Sequence, residues 1–263
     1  MNIIQLEQKV IELTKEVGSW INNERINYNP LHTEVKALND LVSYVDKTSE
    51  QKLVEGLKNI LPEAGFIVEE QTETETRDYN WIVDPLDGTT NFIHGINCYA
   101  ISVALELKGE VLIGVVFEIT QNECFHASKG NGAYLNGKPI NVSDTDQLQN
   151  SLIATGFPIN NFSKVKAYLQ TLEVFMRQTR GIRRIGAAAA DLCFLACGRV
   201  DGFFEFNLKP WDVAAGALIV KEAGGIVTDF SLKDNWLFGK EVIASNTKLN
   251  ADFSEIVSSH FTK

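Results

Sequence analysis

The chain has 263 residues, 44% of them hydrophobic, and this content argues for a folded protein with a large core rather than a disordered one. Its formal net charge of −10 disfavours nucleic acid or an anionic membrane as a general partner. The N-terminus lacks an apolar signal core and no run approaches the roughly 18 apolar residues of a membrane span, so a cytoplasmic location is the default expectation.

The cysteines and histidines do not indicate a zinc site. The four cysteines show no C-x-x-C spacing, and two of them, Cys193 and Cys197, lie one helical turn apart, so we interpret all four as reduced core thiols. The four histidines are scattered singly along the chain.

The N-terminal part predicts two helices joined by an exposed loop. Apolar residues within 3–20 recur every three or four positions, which indicates an amphipathic helix. The pattern breaks between residues 27 and 45, where we expect a loop that contains Lys36 and could move over a site. The second helix is expected to begin at Asp46, an ordinary N-cap residue, and to bury an apolar face within residues 53–61.

Acidic residues follow two short apolar strands. Residues 65–68 form a β-favouring run that ends in Glu69 and Glu70. Residues 81–83 form a second run, and it is broken by carboxylates and turn-forming residues, namely Asp84, Pro85, Asp87 and Gly88. Strand ends are the usual place for ligand residues in α/β sheets, so both positions are candidates for chemistry.

The segment from Asp84 to Thr90 suits a divalent cation and a phosphate together. Pro85 has no backbone donor for a sheet, so Asp84 should stand at a strand end. Gly88 allows a tight turn, after which Thr89 and Thr90 can cap a helix or turn. Carboxylates beside free backbone N–H groups can bind both a metal ion and a phosphate. The same residues are common in simple turns, and from this stretch alone both interpretations stay open.

The middle of the chain predicts an antiparallel meander. Three β-rich runs at residues 98–107, 111–118 and 123–126 are separated by short turns. The glycine-rich residues 129–138 follow no βα pattern, so we interpret them as hairpin turns rather than a phosphate loop. Residues 151–156 then open the second half as a strand.

The second half alternates helices and strands. Helices are predicted at residues 162–177, 187–197, 214–220 and 253–261, and strands at residues 180–186, 200–206, 226–230 and 242–245. Glu205 lies in one of these strands. Asp212 lies at a helix N-terminus, where helix capping and metal binding are alternative roles. Arg183 and Arg184 could meet a substrate, but surface ion pairing is the favoured role.

Several of these stretches resemble the motifs of a known family. Residues 84–92, together with residues 211–216 and 222–225, are similar to the two signature motifs of the inositol monophosphatase family, whose members are magnesium-dependent, lithium-sensitive phosphomonoesterases. The resemblance extends from about Lys36 to Gly225. It implies an α/β fold of alternating helix and sheet layers, an αβαβα sandwich. It also implies a single domain over residues 1–263, with a metal-binding half at about 1–145 and a second half at about 146–263.

The resemblance implies a set of metal ligands. The groups that would hold Mg²⁺ are Glu69, Asp84, the backbone carbonyl of Leu86, Asp87 and Asp212. Asp84 would be shared by two ions, and a weaker third ion would lie near Glu69. Val68 replaces a glycine of the family motif, so either Glu69 or Glu70 is the ligand, and we favour Glu69. Oxygen-only ligation suits Mg²⁺, or Mn²⁺ as a substitute, better than zinc.

The remaining site residues follow from the same resemblance. Asp46 and Thr89 would orient and deprotonate the metal-bound water, while backbone N–H groups from Gly88 to Thr90 bind the phosphate. The predicted substrate contacts also include Gly186, Ala187, Glu205 and the loop lysine Lys36. Family members often have Ser or Thr at the position of Ala187. The chain has D-x-x-D-G-T where phosphatases of the haloacid dehalogenase type have D-x-D-G-T with an aspartate nucleophile, so no covalent phosphoenzyme is expected.

The function implied is hydrolysis of a small phosphorylated polyol, with myo-inositol 1-phosphate as the default substrate. Relatives hydrolyse 3′-phosphoadenosine 5′-phosphate, fructose 1,6-bisphosphate or histidinol phosphate, and these alternatives stay open. The non-enzymatic alternative is a metal-dependent binding or regulatory protein without turnover. The expected partners are a small phosphate ester and a second copy of the chain in a homodimer, with no nucleic acid and no membrane.

Overall fold

The structure, a computed structural model, describes residues 2–28, 33–37, 40–158 and 161–261, and at residues 33–37 and 40–42 it describes the backbone alone. The helices in these ranges are α1 (Ile3–Ile26), α2 (Tyr44–Ile60), α3 (Thr89–His94), α4 (Val165–Gln178), α5 (Ala188–Ala196), α6 (Pro210–Glu222) and α7 (Asn250–Phe261). The strands are β1 (Thr33–Ala37), β2 (Asp40–Ser43), β3 (Gly65–Val68), β4 (Tyr79–Asp87), β5 (Ala100–Leu107), β6 (Glu110–Glu118), β7 (Glu123–Ser128), β8 (Ala133–Leu135), β9 (Lys138–Ile140), β10 (Leu152–Thr155), β11 (Gly181–Arg183), β12 (Gly202–Phe206), β13 (Ile226–Thr228) and β14 (Glu241–Ser245). None of the helices within the described ranges has the length and apolar character needed to cross a membrane.

A seven-stranded sheet carries the central acidic segment. Its order is β3-β4-β5-β6-β7-β8-β9, in which β3 and β4 are parallel and each later pair is antiparallel. The predicted meander is confirmed, since β5, β6 and β7 pair in chain order. The glycine-rich segment forms the turns around β8 and β9, as predicted.

A five-stranded sheet follows in the second half of the chain. Its order is β11-β10-β12-β14-β13. β10 runs parallel to β11 and β12, whereas β14 runs antiparallel to β12 and β13. Glu205 is the penultimate residue of β12 and so lies close to a strand end, where α/β sheets usually bind ligands.

Helices and sheets alternate in layers. α1 and α2 cover one face of the seven-stranded sheet, and Val10, Leu53 and Val103 belong to one buried cluster there. α5 and α6 lie between the two sheets. α4 and α7 pack on the other face of the five-stranded sheet around Phe175 and Phe253. This arrangement confirms the predicted αβαβα sandwich.

Small residues let α6 pack closely against its neighbours. A Cβ added at Gly114 in β6 would lie 2.7 Å from the carbonyl oxygen of Ala215. A Cβ added at Gly216 would lie 2.7 Å from Cβ of Leu192 in α5. Because α6 approaches the seven-stranded sheet this closely, its N-terminus, with Asp212, lies next to the strands that carry the first carboxylates.

Two local predictions about residues 27–46 are wrong. The segment expected as a loop contains β1 and β2, which pair antiparallel with Glu34 opposite Val42. α2 begins at Tyr44 with Ser43 as its N-cap, rather than at Asp46. Asp46 is the third residue of the helix and completes a capping box with Ser43, so an acidic residue near a helix start was assigned the wrong capping position.

Candidate active site

A pocket of about 160 Å³ opens where the end of β4 meets the N-termini of α3, α5 and α6 and the end of β12. The predicted site residues that line it are Glu69, Asp84, Leu86, Asp87, Gly88, Thr89, Thr90, Gly186, Ala187, Glu205 and Asp212. Asp46 is not among the lining residues, but it forms a hydrogen bond with Thr89, which is. The prediction for the Lys36 side chain falls outside the described residues, since only its backbone in β1 is described.

β4 supplies two carboxylates through an irregularity in the sheet. The strand runs to Asp87 rather than ending at Asp84, but its pairing with β5 is interrupted between these two residues. Pro85 falls in this interruption, where its missing N–H removes no ladder bond. Oδ1 of Asp84 accepts a hydrogen bond from the N–H of Leu86 at 2.9 Å. Both carboxylates are buried in the fold and line the pocket.

A tight turn after Asp87 begins α3. Gly88 has a φ of +89°, in the left-handed region that favours glycine. A Cβ at this position would lie 3.2 Å from Cβ of Ala187 and from the carbonyl oxygens of Cys98 and Gly186. Gly88 provides no side-chain cap for α3, so the first N–H groups of this helix are suited to a phosphate.

Thr89 connects the pocket to a carboxylate on α2. Its Oγ1 lies 2.8 Å from Oδ1 of Asp46 and 3.0 Å from the carbonyl oxygen of Leu86. A hydroxyl has a single hydrogen, so Thr89 donates to one of these acceptors at a time. When Asp46 is protonated it can donate to Thr89 while Thr89 donates to Leu86. This arrangement can therefore transfer a proton between the pocket and Asp46.

Asp46 has both a structural contact and a contact toward the pocket. Its Oδ2 accepts hydrogen bonds from the N–H and the Oγ of Ser43, at 2.8 and 2.6 Å. Asp46 is 1% exposed, and burial raises its pKa above the usual range, although the hydrogen bonds from Ser43 and Thr89 act in the opposite direction. A carboxylate with a raised pKa is a suitable proton acceptor in a reaction near neutral pH.

The N-terminus of α5 brings backbone donors to Asp87 from the second half of the chain. The N–H of Ala189 donates to Oδ2 of Asp87 at 2.7 Å, and the N–H groups of Ala188 and Ala190 also favour its charged form. Burial nevertheless raises the pKa of Asp87 to about 6, because desolvation outweighs these hydrogen bonds. The alanines at the start of α5 leave room for this close approach.

The N-terminus of α6 supplies the carboxylate of Asp212. Its Oδ2 accepts a hydrogen bond from the N–H of Lys209 at 2.7 Å, so the capping contact, one of the two alternative roles, is present. Oγ of Ser102 donates to the carbonyl oxygen of Trp211 at 3.0 Å, and Ser102 is the residue of β5 that pairs with Asp84. This bond fixes the start of α6 beside β4, and Asp212 lines the pocket.

Of the two acidic residues after β3, Glu69 is the one that lines the pocket. Its N–H donates to the carbonyl oxygen of Val83 at 3.3 Å, which holds the end of β3 against β4. The N–H of Glu70 donates to Oε2 of Glu50 at 2.6 Å. These placements favour Glu69 as a ligand, and its role as a ligand stays a prediction.

The chemistry of the carboxylates fits a divalent cation. Burial raises the pKa of Asp84 and of Asp212 well above the usual range. Among the neighbouring charges, Glu69 raises the pKa of Asp84 most, and Asp87 raises the pKa of Asp212 most. A divalent cation would relieve this repulsion, and oxygen donors suit Mg²⁺. As the side chains stand, no group of three or more His, Cys, Asp or Glu residues in the described part of the chain could hold a metal ion.

Three polar side chains at the site were not assigned to it from the sequence. Nδ2 of Asn91 donates to the carbonyl oxygens of Cys98 and Ile185, at 2.8 and 2.9 Å, and joins α3 to the segment before α5. Arg184 lines the pocket, and none of the ion pairs between described residues includes it, contrary to the surface pairing expected. Asp191, in the first turn of α5, lines the pocket as well. Asn91 belongs to the central motif and a substrate contact was an open alternative for Arg184, whereas Asp191 had no sequence signal.

Comparison with known proteins identifies the family. The model of the inositol monophosphatase family matches residues 4–260. The chain belongs to the inositol monophosphatase family. The extragenic suppressor protein SuhB of Bartonella henselae superimposes with a TM-score of 0.90 at 36% identity, covering 95% of this chain and 97% of that protein. The IMPase of Thermotoga maritima superimposes with a TM-score of 0.88 at 34% identity, covering 96% of each chain.

Other relatives of this inositol monophosphatase family member are named as Nus factors. The putative Nus factor SuhB of Neisseria meningitidis serogroup B is 50% identical over 94% of this chain and 95% of its own length. The Nus factor SuhB of Escherichia coli K12 is 37% identical over 91% of this chain and 90% of its own length.

These names overturn the prediction of partners. The expectation that the partners are only a small phosphate ester and a second copy of the chain, with no nucleic acid, is wrong in excluding nucleic acid, because relatives of such similarity are named as Nus factors. The prediction failed because it rested on the net charge of −10 for the whole chain. An average charge excludes neither a local surface of opposite sign nor contacts with proteins that themselves bind nucleic acid.

Proposed function

We propose that the chain is a magnesium-dependent phosphomonoesterase that hydrolyses a small phosphorylated polyol, with myo-inositol 1-phosphate as the first substrate to test. The contact between Thr89 and Asp46, next to Asp84, Asp87 and Asp212, supports this proposal most directly. Such a contact would supply a proton acceptor beside carboxylates suited to Mg²⁺. That combination is needed when water, rather than a side chain, attacks phosphorus.

The metal requirement follows from charge. Glu69, Asp84, Asp87, Asp212 and the carbonyl of Leu86 would hold two to three Mg²⁺ ions, with Mn²⁺ as a substitute. A phosphate monoester carries about two negative charges at neutral pH, so the carboxylates alone would repel it. Mg²⁺ held by these residues would offset this charge, lower the pKa of water and stabilise the entering and leaving oxygens.

The residues of the chain would bind the phosphate and move the proton. Backbone N–H groups from Gly88 to Thr90 bind the phosphate oxygens. Thr89 orients the attacking water and passes its proton to Asp46. A bond forms between the water oxygen and phosphorus as the ester bond breaks, and the departing alkoxide is protonated by solvent. Because water attacks directly, no phosphoenzyme forms.

The lining of the pocket favours a polyol over a nucleotide as the leaving group. Among the described residues that line it there is no aromatic side chain on which an adenine ring could stack. Glu205 offers a carboxylate to a hydroxyl group, while Ala187 contributes only a methyl group. Fructose 1,6-bisphosphate and histidinol phosphate remain alternative substrates of the same mechanism.

Phosphate release from the four candidate esters tests the proposal. We expect release from myo-inositol 1-phosphate that requires Mg²⁺, stops with a chelator and is inhibited by lithium. Asp87→Asn should abolish it, whereas Asp229→Asn should not. Asp229 is a matched control because it is also buried but accepts hydrogen bonds from Ser231 and Lys233 in a turn that does not line the pocket. Release that persists with a chelator or in the Asp87→Asn variant would refute the proposal.

A second function is favoured by the Nus factor names of relatives at 50% and 37% identity. We propose that the chain also takes part in a transcription complex, through a surface other than the pocket, since a volume of about 160 Å³ suits only a small ligand. Co-elution with purified bacterial RNA polymerase, free and bound to its transcript, tests this role, with the Escherichia coli relative as comparator. The Asp87→Asn variant should co-elute as the wild type does. Failure to co-elute with either form of the polymerase would refute the second function and leave the first untouched.

A further inference from the structure

Asp191 has a buried carboxylate oxygen that no hydrogen bond between the described residues uses. It lies in the first turn of α5 and is 1% exposed, and its Oδ1 has no hydrogen-bond partner within the described part of the chain. The side chain of an acidic residue near a helix N-terminus commonly accepts a hydrogen bond from a backbone N–H group. A buried acceptor without a donor destabilises a fold, so such a group calls for an explanation, and a role in binding or catalysis is one.

Asp191 lines the same pocket as Glu205. It lines the pocket together with the predicted phosphate-binding and metal-binding residues. Burial raises the pKa of Asp191 well above its usual range, and among neighbouring carboxylates Glu205 adds most to this effect, ahead of Asp87. Both residues line the pocket and their charges interact, and we refer to this pair as the acidic side of the pocket.

The position of Glu205 depends on a glycine in the same lining. A Cβ at Gly156 would lie within 2.2 Å of both carboxylate oxygens of Glu205, so any other residue at 156 would displace this carboxylate. The hydroxyl of Tyr168 donates to the carbonyl oxygen of Gly156 and contacts Oγ1 of Thr155. These contacts fix the backbone against which Glu205 lies.

Arg184 determines what kind of ligand suits this acidic side. It lines the pocket, and its positive charge favours the ionised forms of both Asp191 and Glu205, so it lowers the pKa of each. A cationic substrate group would be repelled by Arg184. A neutral hydroxyl can donate to a carboxylate without this repulsion.

We propose that Asp191 is a specificity-determining residue whose Oδ1 accepts a hydrogen bond from a hydroxyl group of the leaving alcohol, beside Glu205. The substrate class is then a phosphate ester of a polyhydroxylated alcohol with a free hydroxyl near the phosphate. This inference rests on the proposed phosphatase function and adds to it the residue that selects a polyol over an alcohol without hydroxyl groups.

A pair of substrates tests the subsite. Myo-inositol 1-phosphate has hydroxyls on its leaving group, and p-nitrophenyl phosphate has none. Asp191→Leu keeps a similar volume and removes the acceptor, so we expect KM for myo-inositol 1-phosphate to rise by about tenfold or more. The kcat/KM for p-nitrophenyl phosphate should stay within about twofold, because that leaving group makes no such bond. Asp191→Asn keeps one acceptor oxygen, so its KM for myo-inositol 1-phosphate should lie between those of the wild type and of Asp191→Leu.

Two further measurements separate this role from a structural one. Asp252 is exposed in the first turn of α7, so Asp252→Asn should change neither KM nor kcat/KM for either substrate. Asp191→Leu should unfold at the same or a higher temperature than the wild type, because it removes an unsatisfied buried acceptor. The proposal would be overturned if Asp191→Leu lost kcat/KM equally on both substrates, or if its KM for myo-inositol 1-phosphate were unchanged.

The proposed function and the subsite can fail separately. If the wild-type chain hydrolyses neither ester, the phosphatase function fails, and calorimetric titration with myo-inositol 1-phosphate and Mg²⁺ then tests the subsite by binding alone. Binding that Asp191→Leu weakens by about tenfold, with inorganic phosphate binding unchanged, supports the subsite. Equal binding by both proteins, or no binding by the wild type, overturns it.

Discussion

Replacing Thr89 by valine tests the proton path between the pocket and Asp46. Valine keeps the branched shape and removes the hydroxyl, whose oxygen lies 2.8 Å from Oδ1 of Asp46 and 3.0 Å from the carbonyl oxygen of Leu86. A positioned general base contributes roughly 10²- to 10⁴-fold to a rate. We therefore expect kcat to fall by about 100-fold or more, with KM changed by less than about threefold, because the hydroxyl acts on the water rather than on the bound ester.

The same replacement changes the environment of Asp46. The hydrogen bond from Thr89 lowers the pKa of Asp46, so its loss should raise this pKa further. Asp46 accepts a proton only when it is ionised, and the acidic limb of the pH profile of kcat should therefore move to higher pH. Leaving a buried acceptor without its donor costs about 1–3 kcal/mol, so the variant should also unfold a few degrees below the wild type.

Steady-state phosphate release across a range of pH measures these effects in the wild type and in the Thr89→Val and Thr89→Ser variants. Serine restores the hydroxyl and should recover most of kcat and the original acidic limb. If Thr89→Val retains kcat, or if serine recovers nothing that valine lost, the hydroxyl does not connect the water to Asp46 and the reasoning is refuted.

Three further predictions concern the carboxylates and the contact between the two halves of the site. Asp87→Asn should abolish turnover while leaving the unfolding transition cooperative, as measured by phosphate release and circular dichroism, and near-normal activity would contradict the metal assignment. Burial raises the pKa of Glu205 from 4.5 to about 8, so between these values the folded state holds a proton that the unfolded state has lost, and stability falls as pH rises through this window. Glu205→Gln should therefore raise the unfolding temperature, relative to the wild type, more at pH 8 than at pH 5, and equal shifts at the two pH values would contradict this expectation. Asn91→Leu removes the donor to two carbonyl oxygens and should lower the free energy of unfolding by roughly 1–3 kcal/mol in denaturant titrations, whereas the exposed control Asn59→Leu should change it by less than about 0.5 kcal/mol.

The elements that the sequence predicted well depend on local patterns. The meander of β5, β6 and β7 follows from apolar runs separated by turn residues, and each of these signals lies within a few positions of the element it defines. The hairpin of β1 and β2 has no such signal, because short polar strands resemble a loop in composition. The layered arrangement was not visible in any local pattern and came from the resemblance of the motifs to a family.

The same distinction applies to the site. Asp84, Asp87 and Gly88 were recognisable because acidic residues, proline and glycine that break a strand occur together within one short segment. The bond from Ala189 to Asp87 joins residues 102 positions apart, and the bond from Asn91 to Ile185 joins residues 94 positions apart. Contacts of this kind depend on how the two sheets and the helices between them pack, so they cannot be predicted from a local sequence pattern.

Helix capping and chemistry are not exclusive roles for a carboxylate, although the sequence presents them as alternatives at Asp46 and Asp212. A carboxylate has two oxygens, and at Asp46 the cap uses Oδ2 while Oδ1 contacts Thr89. At Asp212 the N–H of Lys209 donates to Oδ2, while the same side chain lines the pocket. A hydrogen bond to one oxygen restricts the rotamers of the side chain, so the other oxygen is positioned before any substrate arrives. In this fold the helix starts provide the rigidity that the proposed reaction requires, and the structural interpretation of each carboxylate therefore supports the functional one.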